Sequence, residues 1–334
     1  MLFSPIYLPY LSILVLGSVL SISSSSWFGA WVGLELNLMS FIPLMSTKLS
    51  SSSSEAALKY FLIQALGSSI IIFASSIIFS HINLAFPLIL MALLLKLGSA
   101  PFHFWFPQVM NGLYWPQIII LATIQKLAPM FLISYILFNP LIKTLILLSV
   151  IMSALAGALG GVNQMNLRKI MAYSSINHMA WMLTAISISE NLWIMYFIFY
   201  SFISSATILL FYSIKAYHFS NIFNNLNSSP LLISLTPMVL LSLGGLPPFS
   251  GFIPKWLLIQ MLVNEYMYIP LLFLLASALI TLFFYLRIFI SFLIMLNPSF
   301  KWSFKLGYSK NNLTSFLIFL NMFGLLIPSF FISL

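Results

Sequence analysis

Four charged side chains interrupt apolar stretches of the sequence, where a charge is costly: Glu35, Lys96, Lys126 and Lys255. A charged group at bilayer depth costs roughly 3 kcal/mol or more, so it normally faces a protein interior or a water-filled path. The chain has only 13 basic and 4 acidic residues among 334, and four of them are at such positions. The sequence therefore predicts ion or proton conduction through a membrane, with these four side chains as the relay.

Lysine and glutamate suit such a relay because both can bind and release a proton. A lysine held between the cost of burial and the attraction of a nearby carboxylate can exchange its proton near neutral pH, which arginine cannot readily do. Glu35 lies about 12 Å along a helix from Trp27, and Lys96 and Lys126 lie at similar depth in their own segments. We expect a Lys–Glu–Lys proton relay. The alternative is a set of static ion pairs that fix helix register.

Three further polar side chains lie within apolar segments and are additional relay candidates: His103, His178 and Arg287. An isolated intramembrane histidine either hydrogen-bonds a backbone or hydroxyl group or transfers protons, and the sequence leaves both roles open. For Arg287, snorkelling towards the nearby basic end of its segment is favoured over a part in the relay. The histidines lack a partner at i+4 and a nearby acid, so we expect no metal site.

The composition identifies the class of protein. Apolar residues make up 61% of the chain and charged residues 5%, with a mean hydropathy of +1.09, whereas soluble domains carry roughly 25% charged residues. The chain is therefore predicted to be an all-α polytopic membrane protein. It has no cysteine, which excludes iron–sulfur ligation and thiolate metal sites in this chain. The net charge of +9 comes from scattered residues, so we expect topology-setting loops and no nucleic-acid partner.

A helix that spans a bilayer needs about 20 apolar residues. On that template the sequence predicts eleven transmembrane helices, at 5–22, 27–46, 56–80, 85–106, 114–138, 141–161, 170–189, 191–217, 231–264, 269–296 and 313–333. The separators leave no room for a soluble domain, so residues 1–334 are predicted to form one transmembrane domain. Eleven helices put the termini on opposite faces, and the loops on the N-terminal face then carry most of the basic residues.

Two predicted spans contain a cluster of small residues and prolines, at 97–107 and 243–254. Proline removes a backbone donor and clashes with the preceding turn, so each cluster should break or kink its helix. Lys96 precedes the first cluster and Lys255 follows the second. Paired interrupted spans are typical of repeat-built transporters with a site near the midplane of the membrane. The alternative is a pair of packing kinks.

Several long strings resemble a known family, namely WFGAWVGLELNLMSFIPL at 27–44, EAALKYFL at 55–62, LKLGSAPFHFWFP at 95–107, QKLAP at 125–129, residues 160–181, and SLGGLPPFSGFIPKW at 242–256. They closely resemble the subunit 2 family of mitochondrial NADH:ubiquinone oxidoreductase, respiratory complex I, in its short animal form. The resemblance covers about residues 26–290; the C-terminal loop and last helix at 297–334 match only in hydropathy. It implies an antiporter-like core of two inverted repeats with one broken helix in each.

The resemblance also implies roles for the four charged residues. Glu35 matches the glutamate on the helix before the first broken helix, and Lys96 the lysine at that break. Lys126 matches the central lysine and Lys255 the lysine at the second break. The implied function is that of a non-redox subunit of the H+-translocating NADH:ubiquinone reductase, in the mitochondrial inner membrane, with the N-terminus in the matrix and the C-terminus facing the intermembrane space.

The resemblance implies partners and cofactors as well. The expected partners are antiporter-like and small helical subunits of the membrane arm, accessory subunits and lipids. NADH, FMN, iron–sulfur clusters and ubiquinone are expected in other subunits, and this chain carries no P-loop or dinucleotide-binding motif. Two other functions compete with this one: a stand-alone cation/proton antiporter, and a structural membrane subunit whose charges form static ion pairs.

Overall fold

A computed structural model describes residues 5, 7–46, 50–78, 82–224, 230–247 and 249–296. Within these residues the secondary structure is helical, apart from one isolated bridge between Asn166 and His218. The helices are α1 Leu8–Ser23, α2 Trp27–Met45, α3 Ser51–Ile77, α4 Ile82–Leu97, α5 Trp105–Gly112, α6 Trp115–Ala122, α7 Ile124–Tyr135, α8 Pro140–Gly161, α9 Leu167–Ile188, α10 Glu190–Ile214, α11 Phe219–Asn224, α12 Pro230–Gly244, α13 Phe252–Asn264 and α14 Tyr268–Leu296.

Within the described residues, six segments are long and apolar enough to cross a membrane: Trp27–Met45, Ser51–Ile77, Trp115–Tyr135, Pro140–Gly161, Glu190–Ile214 and Tyr268–Ser291. The all-α, multi-pass class predicted from composition is thereby confirmed for the described part of the chain. The predicted span at 313–333 lies outside the described residues, so the count of eleven stays a prediction. Helix α9 falls outside the six, although nearly all of its residues from Ile170 onwards are buried, because serine, asparagine and histidine lower its hydropathy.

The chain divides into two compact units, and the boundary falls between Ser153 and Ala154 within α8. Unit 1 contains α1–α7 and the first part of α8, with α1 packed on α2 and α3 packed on α4 and α5. Unit 2 contains the end of α8 and α9–α14, with α12 packed on α10 and α14, and α13 on α9, α10 and α14. Three of the predicted relay residues therefore lie in unit 1, and Lys255 lies in unit 2.

The first predicted break separates α4 from α5. Helix α4 ends at Leu97, and the next residue, Gly98, has a left-handed backbone with φ +70°. The Gly98 N–H donates to the carbonyl of Leu95, and the Ser99 N–H to that of Leu94, both at 3.2 Å. These two hydrogen bonds satisfy backbone carbonyls that have no partner within the helix once it ends. Glycine adopts the left-handed conformation at this point without the strain that a side chain would cause.

The second predicted break repeats this geometry between α12 and α13. Helix α12 ends at Gly244, and Gly245 has φ +74°. The Gly245 N–H donates to the carbonyl of Ser242 at 3.1 Å, and the next N–H, that of Leu246, donates to Leu241 at 3.4 Å. The similarity between the two clusters seen in the sequence therefore corresponds to the same helix-ending motif in each unit.

A third interruption was not predicted from the sequence. The predicted span 114–138 is divided at Thr123, which has φ −115° and ψ −80° and separates α6 from α7. Its hydroxyl donates to the carbonyl of Ile119 at 2.7 Å, which satisfies an acceptor at the end of α6. The interruption lies three residues before Lys126, and Pro129 lies inside α7. Lys126 is therefore in the first turn of a new helix.

Candidate functional site

Lys96 and Lys126 face one small cavity in unit 1. Both are buried, with 6% and 2% of their surface exposed. The cavity has room for about one water molecule, and both lysines line it. Its other polar lining comes from the side chains of Tyr60, Gln64 and Gln125. The first break and the third interruption thus place two buried amines on one polar cavity.

Helix α3 positions Lys96. A methyl group added to Gly67 would lie 3.0 Å from Cγ and 3.3 Å from Cε of Lys96, so the absence of a side chain at Gly67 makes room for the lysine stem. One turn earlier on the same helix, the Gln64 amide donates to the Lys96 carbonyl at 3.2 Å. That bond satisfies a backbone acceptor next to the end of α4, where helical partners are missing.

Helices α3 and α5 surround Lys126. Its ammonium lies 5.2 Å from the ring centroid of Phe106, a distance at which the ring face attracts a cation. The preceding residue, Gln125, accepts a 3.1 Å hydrogen bond from the Tyr60 hydroxyl. Tyr60 also contacts the ring of Trp105, with centroids 6.0 Å apart. Aromatic side chains from two helices therefore fix the position of the Lys126 segment.

Glu35 supplies negative charge to this cluster from α2. It is half-buried, and its carboxylate interacts electrostatically with Lys96 and Tyr60. Among the described residues, the direct ion pair is that of Glu55 with Lys59, at 2.6 Å on the exposed side of α3. Glu35 and Lys96 therefore act on each other at longer range. The structure places Lys96 and Lys126 on one cavity of unit 1, and Glu35 acts on Lys96 from α2.

Lys255 has a different environment in unit 2. It lies in the first turn of α13 with 6% of its surface exposed. Its ammonium donates to the carbonyl of Gly244 at 2.9 Å and to that of Leu243 at 3.4 Å. It also lies 5.8 Å from the centroid of Trp181. A cation at the carbonyl end of α12 is favourable because the helix dipole is negative there.

His178 hydrogen-bonds a hydroxyl group, one of the two roles that the sequence left open. Its Nδ1 lies 2.9 Å from the hydroxyl oxygen of Tyr196, and its ring centroid is 5.2 Å from that of Tyr200. All three side chains line a second small cavity, together with Ser242 and Gly251 of the second break. Neither tyrosine was predicted from the sequence as a site residue, because both lie in an aromatic-rich apolar run. Their i, i+4 spacing was the available signal.

The other two relay candidates, His103 and Arg287, make contacts with residues other than the lysines. His103 lies in the segment between α4 and α5, half-buried, with its ring 4.2 Å from that of Phe104. Arg287 donates from Nη2 to the carbonyl of Gln164 at 2.9 Å. Gln164 lies in the connection between α8 and α9, four residues before Arg168. The side chain of Arg287 therefore reaches this connection from α14.

The described residues contain no cluster of three or more histidine, aspartate or glutamate side chains that could hold a metal ion. The arrangement instead consists of buried amines, one carboxylate, amides and hydroxyls around two small cavities. Groups of these kinds can bind and release protons and can hydrogen-bond water. The chemistry that the site supports is proton exchange.

Comparison with known proteins identifies the family. The family described as NADH:quinone oxidoreductase/Mrp antiporter, transmembrane, matches residues 24–83 and 79–281. The chain belongs to this antiporter-like family. Its similarity to NADH-ubiquinone oxidoreductase chain 2 of Anopheles gambiae is 46% identity over 93% of this chain and 92% of the relative. For the protein of the same name from Aedes aegypti the identity is 47%, over 94% of each chain.

The antiporter-like family fold is also found among solved structures. A chain of respiratory complex I from Thermus thermophilus superposes with a TM-score of 0.78 at 24% identity, over 86% of this chain and 70% of that chain. At this identity the likeness concerns the fold. Together with the insect relatives, it confirms the resemblance drawn from the sequence strings.

Proposed function

We propose that the chain is a core membrane-arm subunit of respiratory complex I and translocates protons across the mitochondrial inner membrane. It takes no part in redox chemistry, and quinone reduction elsewhere in the complex drives the transfer. The names of the insect relatives support the assembly. The observation that supports proton transfer by this chain is the cavity shared by Lys96 and Lys126, with the charge of Glu35 acting on Lys96.

The first transfer runs from Lys96 to Lys126. The carboxylate of Glu35 attracts the ammonium of Lys96, so a proton rests there while Glu35 is charged. When Glu35 is neutral or turns away, the ammonium loses that attraction and the proton moves on. The cavity has room for about one water molecule and several polar partners for it. A bridging water carries the proton across to the Lys126 amine.

The second group of relay residues is in unit 2. Lys255 holds its proton against the carbonyls of Leu243 and Gly244 at the end of α12. His178 and Tyr196 line the cavity next to the same break and provide a ring nitrogen and a hydroxyl that can exchange a proton. The proposed core is two inverted repeats with one broken helix each, within a single membrane domain of eleven helices.

The proposed orientation puts the N-terminus and the basic loops in the matrix and the C-terminus in the intermembrane space. NADH, FMN, iron–sulfur clusters and ubiquinone belong to other subunits in this proposal. The partners are the neighbouring antiporter-like and small helical subunits and the accessory subunits. The charge asymmetry of the loops supports the orientation, since basic loops stay on the side of synthesis.

Co-purification and reconstitution test this function against a stand-alone antiporter. In mild detergent the chain should co-purify with other membrane-arm subunits. In liposomes the isolated chain should show no exchange of cations for protons, whereas the assembled complex should pump protons when NADH and a quinone are supplied. Cation/proton exchange by the isolated chain, without NADH, would contradict the proposal and favour the antiporter.

A further inference from the structure

Two connections at one end of unit 2 are held together by backbone hydrogen bonds. The α8–α9 connection pairs with the α10–α11 connection through the antiparallel bridge between Asn166 and His218. Flanking hydrogen bonds of 3.0 and 3.1 Å join the same two strands of chain. Arg287 of α14 ties the first connection down by donating to the carbonyl of Gln164. Three parts of unit 2 thus meet at this end.

The paired connections and the first turn of α9 carry four basic side chains, which we call the basic end: Arg168, Lys169, Lys215 and His218. The Arg168 guanidinium lies 4.9 Å from the ring centroid of Tyr217, which places it against the neighbouring connection. Lys215 follows the last residue of α10 with a left-handed φ of 57° and is exposed, as is His218. Basic residues that only set membrane topology do not need to come together from two paired connections. A ligand that binds several of these basic side chains together would explain the arrangement.

The two glutamates of unit 2 lie far from the basic end. After Ala154 the sequence contains two acids, Glu190 and Glu265. Glu190 begins α10 and Lys215 follows its last residue, so the two are about 37 Å apart at the helical rise of 1.5 Å per residue. Glu265 precedes α14, and Arg287 lies about 30 Å along that helix. The distance of about 30 Å along α14 matches the hydrocarbon thickness of a bilayer. If Glu265 lies at one surface of the membrane, Arg287 and the basic end that it contacts lie at headgroup depth on the other.

Apolar side chains are exposed beside these cations. Met165, on the α8–α9 connection, is 62% exposed, and Tyr212, one turn before Lys215 on α10, is 46% exposed. A free phosphate would use only the cations. A lipid would place its phosphate on the cations and its acyl chains along the apolar side chains.

We propose that the basic end binds the phosphate headgroup of an anionic phospholipid. Lys169 contacts the phosphate from the first turn of α9 and Lys215 from the α10–α11 connection, and Arg168 contributes charge from the same turn of α9. The dipole of that helix also favours an anion. Met165 and Tyr212 contact the acyl chains. Charge complementarity selects the lipid, because a basic surface at headgroup depth attracts anionic lipids over zwitterionic ones.

The test uses the assembled complex in phosphatidylcholine nanodiscs that contain a trace of phosphatidylglycerol with a photoreactive group near the phosphate. Cross-linked peptides are identified by mass spectrometry. Labelling should fall on residues 165–169 or 215–219 and be displaced by unlabelled phosphatidylglycerol. Each lysine near an anionic lipid contributes about a fivefold gain in affinity. The double variant Lys169→Gln/Lys215→Gln should therefore need about 30-fold more phosphatidylglycerol for equal labelling. Lys143→Gln, a half-buried lysine of unit 1, should behave as wild type.

Several outcomes would overturn this proposal. Equal labelling of the double variant and wild type would show that these lysines do not bind the lipid. Displacement by phosphatidylcholine would remove the charge selectivity, and displacement by inorganic phosphate would mean a soluble-anion site. A cross-link from Lys215 to an acidic segment of a neighbouring subunit would assign the basic end to a protein partner. Should the double variant fail to assemble, the competition series on the wild-type complex decides by itself.

Discussion

Gly245→Ala tests whether the second break holds Lys255 in its functional position. The left-handed conformation of Gly245, with φ +74°, costs an L-residue about 1–2 kcal/mol. The added methyl would also lie 2.8 Å from Cδ and 3.1 Å from Nζ of Lys255. These distances are too short for ordinary contacts, so the lysine must move away from the Gly244 carbonyl. A hydrogen bond from a charged donor contributes about 1.5–3 kcal/mol.

The expected result is an assembled but less stable complex with several-fold lower quinone reductase turnover. The neighbouring glycine offers a matched control. A methyl on Gly244 would lie 3.5 Å from Tyr285 and 3.9 Å from Leu282, which are ordinary contacts. Gly244→Ala should therefore leave both turnover and the temperature of inactivation close to wild type.

The assay compares NADH-driven turnover and thermal inactivation of the two assembled variants with those of wild type. If Gly245→Ala matched Gly244→Ala in both measurements, the position of Lys255 at the end of α12 would not matter for function. The second break would then have no part in positioning this lysine for proton exchange.

Three further predictions concern other parts of the chain. A tag inserted after Ser309 should be reached from the matrix only, and labelling from the intermembrane space would contradict the proposed orientation. The double variant Glu35→Gln/Lys96→Met should lose less turnover than the sum of the two single losses, because removing one partner leaves the other without its counter-charge; strict additivity would show that the two do not act as a pair. Tyr196→Phe removes the hydroxyl 2.9 Å from His178 and should lower pumping without loss of assembly; unchanged pumping would limit His178 to a packing role.

The helix breaks could be predicted because their cause is local. In the clusters at 97–107 and 243–254, a glycine takes the left-handed conformation that ends the helix, and the prolines that follow disfavour its continuation. The division at Thr123 escaped prediction because residues 117–128 contain no glycine or proline. There the hydroxyl of Thr123 satisfies the preceding turn, a role that threonine takes in some contexts and not in others.

The candidate site could be predicted only in part. A charge in an apolar run is visible in the sequence, which identified Glu35, Lys96, Lys126 and Lys255. Their partners depend on tertiary contacts between helices far apart in the chain. The acceptors of Lys255 and the hydroxyl on His178 belong to elements 11 or more residues away, so the sequence does not show which residues pair with Lys255 and His178.

The central claim is that Lys126 carries protons, and Lys126→Met tests it most directly. Methionine keeps the length and apolar stem of lysine but cannot bind a proton. The measurement is protons pumped per electron, together with quinone reductase turnover, in the assembled complex, with Lys143→Met as the control outside the site. We predict normal assembly with reduced pumping and, through tight coupling, reduced turnover for Lys126→Met alone. Wild-type pumping and turnover in that variant would contradict the account and leave Lys126 with a structural role.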